Sequence, residues 1–101
     1  MRYPENLGQS GREIWREIMS GFDLNAHEKR ILLEACRVAD RLDNINDHLA
    51  VEPLDKKLLT EARMQGHHLT RLLASLRMPE VDEDGNVVRA QRRGGARGTY
   101  A

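Results

Sequence analysis

Large apolar residues fall into two matching rows along this chain. Between residues 26 and 51, Ile31, Ala35, Val38, Leu42, Ile45 and Leu49 keep alternating steps of four and three. Between 56 and 78, Leu58, Ala62, Gln65, Leu69, Leu72 and Leu76 repeat the same steps. Such spacing lines each row up on one helix face. A seven-residue period favours long side-by-side packing, as in a coiled coil. The short link Val51-Glu52-Pro53-Leu54 permits only an antiparallel return. The pattern predicts an all-α chain built on a long antiparallel helical hairpin over 25–79. A lead-in and short head helix (1–24) precede it. A flexible tail (80–101), acidic and then basic, follows.

Punctuation residues refine these bounds. Ser10-Gly11-Arg12-Glu13 has the form of a capping box, which predicts a head helix over 11–20 with Gly21 as its C-terminal cap. Asn25 and Glu28 form a second box, starting a helix over 26–51. Pro53 ends that helix, Asp55 caps the next, and Pro79 stops it near residue 78. Gly66 lies inside the last helix. Either it admits the close approach of another backbone or it is merely tolerated, at about 1 kcal/mol against alanine. Asp84-Gly85-Asn86 is a turn signal, Val87-Val88 the only apolar pair of the tail, and Gly94-Gly95 a flexible stretch.

A second set of apolar residues lies beside the main rows. Leu32, Cys36 and Ala39 flank the first, and Leu59 and Leu73 flank the second at the spacing of Gly66. Trp15, Ile18 and Phe22 cover one patch of the head. Two helices pressed together bury only one strip each. Trp15, Phe22, Leu32, Cys36, Ala39, Leu59 and Leu73 are therefore expected to form an oligomer interface, and repeated contact between identical copies closes into a ring. Trp15 has two readings, core of the head or anchor for a partner.

Composition fits this picture. Apolar residues make up 40% of the 101 residues and charged ones 32%, with one Trp, two Tyr and one Phe, which suits a helical rather than a sheet protein. No stretch of 18 apolar residues exists, so no membrane span is expected, and the opening Met-Arg-Tyr-Pro lacks a signal peptide's apolar segment. The lone Cys36 suits a reducing compartment and reads as a buried structural thiol. His67 and His68 are neighbours on a helix and diverge by about 100°, while His27 and His48 sit far apart, so neither pair suits a metal. With no phosphate loop, G-x-S-x-G or H-E-x-x-H in the sequence, neither an enzyme site nor a cofactor is expected.

The net charge is zero, but its placement is uneven. Glu80, Asp82, Glu83 and Asp84 form an acidic run, and Arg89, Arg92, Arg93 and Arg97 follow without an acid. Arg12, Arg16, Lys29, Arg30 and Arg37 cluster around the first inter-helix turn, interleaved with Glu13, Glu17, Glu28 and Glu34. Both groups are candidates for contact with DNA phosphates. A solvated face is the plainer reading of the first, and an acidic protein surface is the alternative for the second.

Several stretches, in order, resemble the small subunit of tailed-bacteriophage terminases, in the form found in actinobacterial phages and prophages. The first is Leu7-Gly8-Gln9-Ser10-Gly11-Arg12-Glu13-Ile14-Trp15-Arg16. Next come Phe22-Asp23-Leu24, Glu28, and Leu33-Glu34-Ala35-Cys36-Arg37-Val38-Ala39-Asp40-Arg41-Leu42-Asp43. Glu61-Ala62-Arg63, Arg71-Leu72-Leu73-Ala74-Ser75-Leu76 and Pro79 complete the series, which spans 7–79. The inter-helix link is shorter than in much of that family, and 1–9 do not encode the helix-turn-helix that many members carry. The resemblance implies a non-catalytic packaging factor in the cytoplasm of the bacterial host. Such a factor forms a homo-oligomeric ring, helps select double-stranded viral DNA, and recruits the large terminase subunit, which holds the ATPase and nuclease. A homo-oligomeric helical adaptor or small regulator without a DNA-packaging role satisfies the residue pattern alone.

Overall fold

A computed structural model describes residues 2–76 together with the backbone of 80–81 and 87–89. Its body is all-α. Helix α1 spans Gln9–Gly21, α2 spans Ala26–Val51 and α3 spans Lys56–Ser75. Helix α2 is central: α1 packs along one flank and α3 along another. Glu80–Val81 (β1) pairs antiparallel with Val87–Arg89 (β2), across an irregular register. The sequence pattern assigns no element to this stretch. The β-branched pair Val87-Val88 beyond a turn signal has the ingredients of a hairpin ribbon. The remaining tail expectations, including most of the acidic run and the glycine stretch, lie outside the described residues.

The second helix starts and ends where its caps place it. The Asn25 side chain accepts from the Glu28 amide at 2.8 Å, and the Glu28 carboxylate accepts from the Asn25 amide at 3.0 Å. Asp55 likewise accepts from the Leu58 amide at 3.1 Å, opening α3. Both main rows point inward. Ala35, Val38 and Ile45 are buried, and Leu58, Ala62, Leu69 and Leu72 are half-buried against α2. Gln65, the polar member of its row, accepts a long 3.5 Å bond from Arg41 and donates to Glu61 at 2.9 Å. Arg41 also pairs with Glu34 at 3.9 Å, an exposed contact worth well under about 1 kcal/mol.

The head departs from its expected cap. Helix α1 begins at Gln9 with Gly8 as N-cap, so Ser10 lies in the first turn and its capping box does not form. Glu13 instead accepts from the Gln9 side chain at 3.2 Å. Gly21 is the last helical residue, and Phe22 closes the helix through its amide to the Ile18 carbonyl at 3.0 Å. Ahead of α1, Asn6 adopts φ 65°, a left-handed conformation that a short Asn side chain tolerates. Leu7 then enters the core.

The largest correction concerns the second strip. Leu32 and Cys36 are fully enclosed and Ala39 nearly so. They lie in and beside a cluster formed by Leu7, Ile18, Leu24 and Leu76, with Trp15, Phe22 and Leu73 packed against it. The surface assigned to another copy is thus filled by this chain's own head. Trp15 packs as core, one of the two readings open to it. Of the seven interface candidates, Leu59 alone is exposed, at 45%.

Glycine 66 has the tolerated reading. A Cβ built there meets nothing within 4 Å. Gly66→Ala should therefore stabilise the protein by up to about 1 kcal/mol, read as a higher midpoint in urea. A lower midpoint would mean that close packing uses this site after all.

Candidate nucleic-acid interface

The candidate cations sit on three elements. Arg12 and Arg16 are exposed on α1, and Lys29, Arg30 and Arg37 are exposed on α2. Arg89 lies in β2. Arg92, Arg93 and Arg97 lie outside the described residues. Among the described residues, no ion pair involves Arg12, Arg16, Arg30 or Arg37. Arg12 lies 5.9 Å from the centre of the Tyr3 ring, at the edge of cation–π reach.

Asp40, on the second helix, decides how the first two helices meet. One carboxylate oxygen accepts from the Gly8 amide at 2.7 Å, and the other accepts from the Gly11 amide at 2.8 Å. Gly8 is the N-cap of α1 and Gly11 its third residue, the two amides that a capping box normally satisfies. A single side chain from another helix takes both roles. The approach is close. A Cβ on Gly11 would lie 2.5 Å from an Asp40 oxygen and 3.0 Å from the Cys36 carbonyl oxygen. Glycines at an N-cap and third position, with no polar side chain at the cap, were the available signal.

This arrangement also limits the chemistry. A free helix N-terminus attracts anions. The amides of Gly8 and Gly11 already hold a carboxylate, so the start of α1 is not a ready phosphate cradle. Two open depressions flank α1, one lined in part by Tyr3, Gln9, Arg12, Glu13 and Arg16, the other by Glu13, Arg16, Glu17 and Ser20. Both mix acids or amides with cations and neither is enclosed. His27, His48, His67 and His68 are exposed, and among the described residues no three metal-ligating side chains converge. No described helix is long and apolar enough to cross a membrane.

Beneath α1, the buried Cys36 thiol is pushed from its ordinary 9.0 up to about 11, first by burial and then by the nearby charge of Asp40. Backbone amides of Trp15 and Cys36 oppose the shift. The folded state therefore holds the proton more tightly than the unfolded one. That contribution is fully present below pH 9 and is lost as pH rises through about 11. Over that window, wild type should lose about 2–3 kcal/mol more than Cys36→Ala. Urea midpoints of both proteins at neutral and alkaline pH measure the difference, and parallel losses would place the thiol in contact with water.

The half of the α2–α3 pair beyond Asp40 is unlike the rest. Helix α1 runs back from Asp40 toward the start of α2, leaving the far half uncovered. There Ile45 is the only buried residue of α2, and α3 has no residue classed as buried. Val51 is 78% exposed, Leu54 86% and Met64 58%. A scan against protein-family models finds no match for this chain, and no curated protein or solved structure matches it.

Proposed function

We propose that this chain is a non-catalytic DNA-packaging factor of the terminase small-subunit kind. The α2–α3 pair acts as a helical hairpin through which copies assemble into a ring. The cations of the head and tail contact double-stranded viral DNA, and the assembly recruits the large ATPase–nuclease subunit. The ordered resemblance over 7–79 supports the family. The observation that carries assembly is the uncovered far half of the α2–α3 pair, where Val51, Leu54, Leu59 and Met64 meet water. Exposed aliphatic side chains gathered at one end of the pair support assembly there. Assembly through these residues replaces the strip around Leu32, Cys36 and Ala39, which the head occupies.

Light scattering on the full chain tests the reading. The expected result is a single species of several copies that falls to one copy when Leu54 and Leu59 are both changed to aspartate. A well-folded single copy at every concentration would overturn the ring and the packaging role built on it.

A further inference from the structure

We propose that duplex DNA binds across the seam of α1 and α2, on one composite basic face that Asp40 assembles. This deepens the DNA-binding part of the reading above and rests on it.

The Asp40 contacts fix which flank of α1 meets which flank of α2. On α1, steps of four residues from Gly8 run to Arg12 and Arg16, so these share the flank of Gly8. On α2, steps of three, four and three back from Asp40 run through Arg37 and Leu33 to Arg30. Because the Gly8 amide bonds to the Asp40 carboxylate, these two rows border one another. Arg12, Arg16, Arg30 and Arg37, all exposed, therefore look out on the same side of the seam. Glu17 follows Arg16 by one residue, about 100° further round α1 and away from the seam, whereas Glu13 lines the same open depression as Arg12 and Arg16, where it accepts from the Gln9 side chain. The other acids bordering the basic rows have partners of their own. Asp40 has its oxygens on the Gly8 and Gly11 amides, and Glu34 pairs with Arg41.

Cations presented by two adjacent helices suit a repeating line of phosphates better than a single small anion. The depressions described beside α1 are open, and the amides at the start of α1 already hold the Asp40 carboxylate. Readout is expected to be of the backbone rather than of base sequence. Asp40 is a positioning residue here. Its own charge repels phosphate, yet it holds Arg12 and Arg16 beside Arg30 and Arg37.

Fluorescence anisotropy of the full chain with a short labelled duplex of arbitrary sequence, over a salt series, tests this. Arg12→Gln with Arg37→Gln, both on the surface, should weaken binding on the order of tenfold and lower the salt slope by roughly two. Arg63→Gln on α3 should change neither. Asp40→Asn should weaken binding although it removes a negative charge. It should also mask Arg12→Gln with Arg16→Gln, because α1 is then no longer held at the seam. Stronger binding by Asp40→Asn, or simple additivity with the α1 pair, would overturn its positioning role. Binding unchanged in Arg12→Gln with Arg37→Gln but lost when Arg89, Arg92, Arg93 and Arg97 are replaced would overturn the face while leaving DNA binding intact. No salt-sensitive binding by wild type would overturn both.

Discussion

Gly11→Ala is expected to unseat the first helix and to cost about 2–3 kcal/mol, a fall in midpoint of roughly 10–20 °C. Helix propensity alone predicts the opposite sign, a gain of about 1 kcal/mol. The contact geometry decides between them. The new methyl would sit 2.5 Å from an Asp40 oxygen and 3.0 Å from the backbone carbonyl of Cys36. The carboxylate can swing away only by leaving the Gly8 and Gly11 amides, and the carbonyl, held in a helix, has little room to move. Thermal melts followed by circular dichroism give the size of the effect. Reactivity of Cys36 toward a disulfide reagent reports whether α1 has lifted. A variant as stable as wild type, its thiol still silent, would refute the close crossing. The same substitution at Gly66 should raise stability, so the pair tests the packing and not the amino acid.

Asp40→Ala should cost about as much, 2–3 kcal/mol on the order-of-magnitude scale for two bonds to a charged acceptor. The Gly8 amide is exposed and can recover water, so the loss falls short of the full value for two buried bonds. The Gly11 amide is part-buried and recovers less. Asp40→Asn keeps one acceptor oxygen and should fall between alanine and wild type. Because Gly11 and Asp40 form one contact, the double variant should be less unstable than the sum of the singles. Additive losses in a urea-melt cycle would show that the two act separately. A change within about 0.5 kcal/mol for Asp40→Ala would place it among ordinary surface substitutions.

The sequence made the two long helices legible because local signals and period agreed. Asn25, Glu28 and Asp55 cap where expected, and the stepped rows face inward. It misled at the head for a physical reason. Ser10 and Glu13 have the right spacing for a box, but a carboxylate from 32 residues away reaches the Gly8 amide instead. A side-chain cap from another helix leaves no mark at the spacing that local rules inspect. The same blind spot misassigned Leu32, Cys36 and Ala39. Their apolar character was read as surplus, since nothing local says that a thirteen-residue head folds back to cover them. The exposed cations were legible as residue types, but which flank of α1 meets which flank of α2 depends on the Asp40 contact and is visible only in three dimensions.

The amide–carboxylate contact also divides the chain by its tolerance of changes in length. One residue inserted in α2 ahead of Asp40 would swing the carboxylate about 100° around the helix axis, and deletion of one would do the same in reverse. Related chains should therefore keep a constant residue count from Gly8 to Asp40. Beyond that point, matched insertions of seven in α2 and α3 would lengthen the molecule by about 10 Å and leave its front end unaltered. Reach, in this design, can evolve independently of grip.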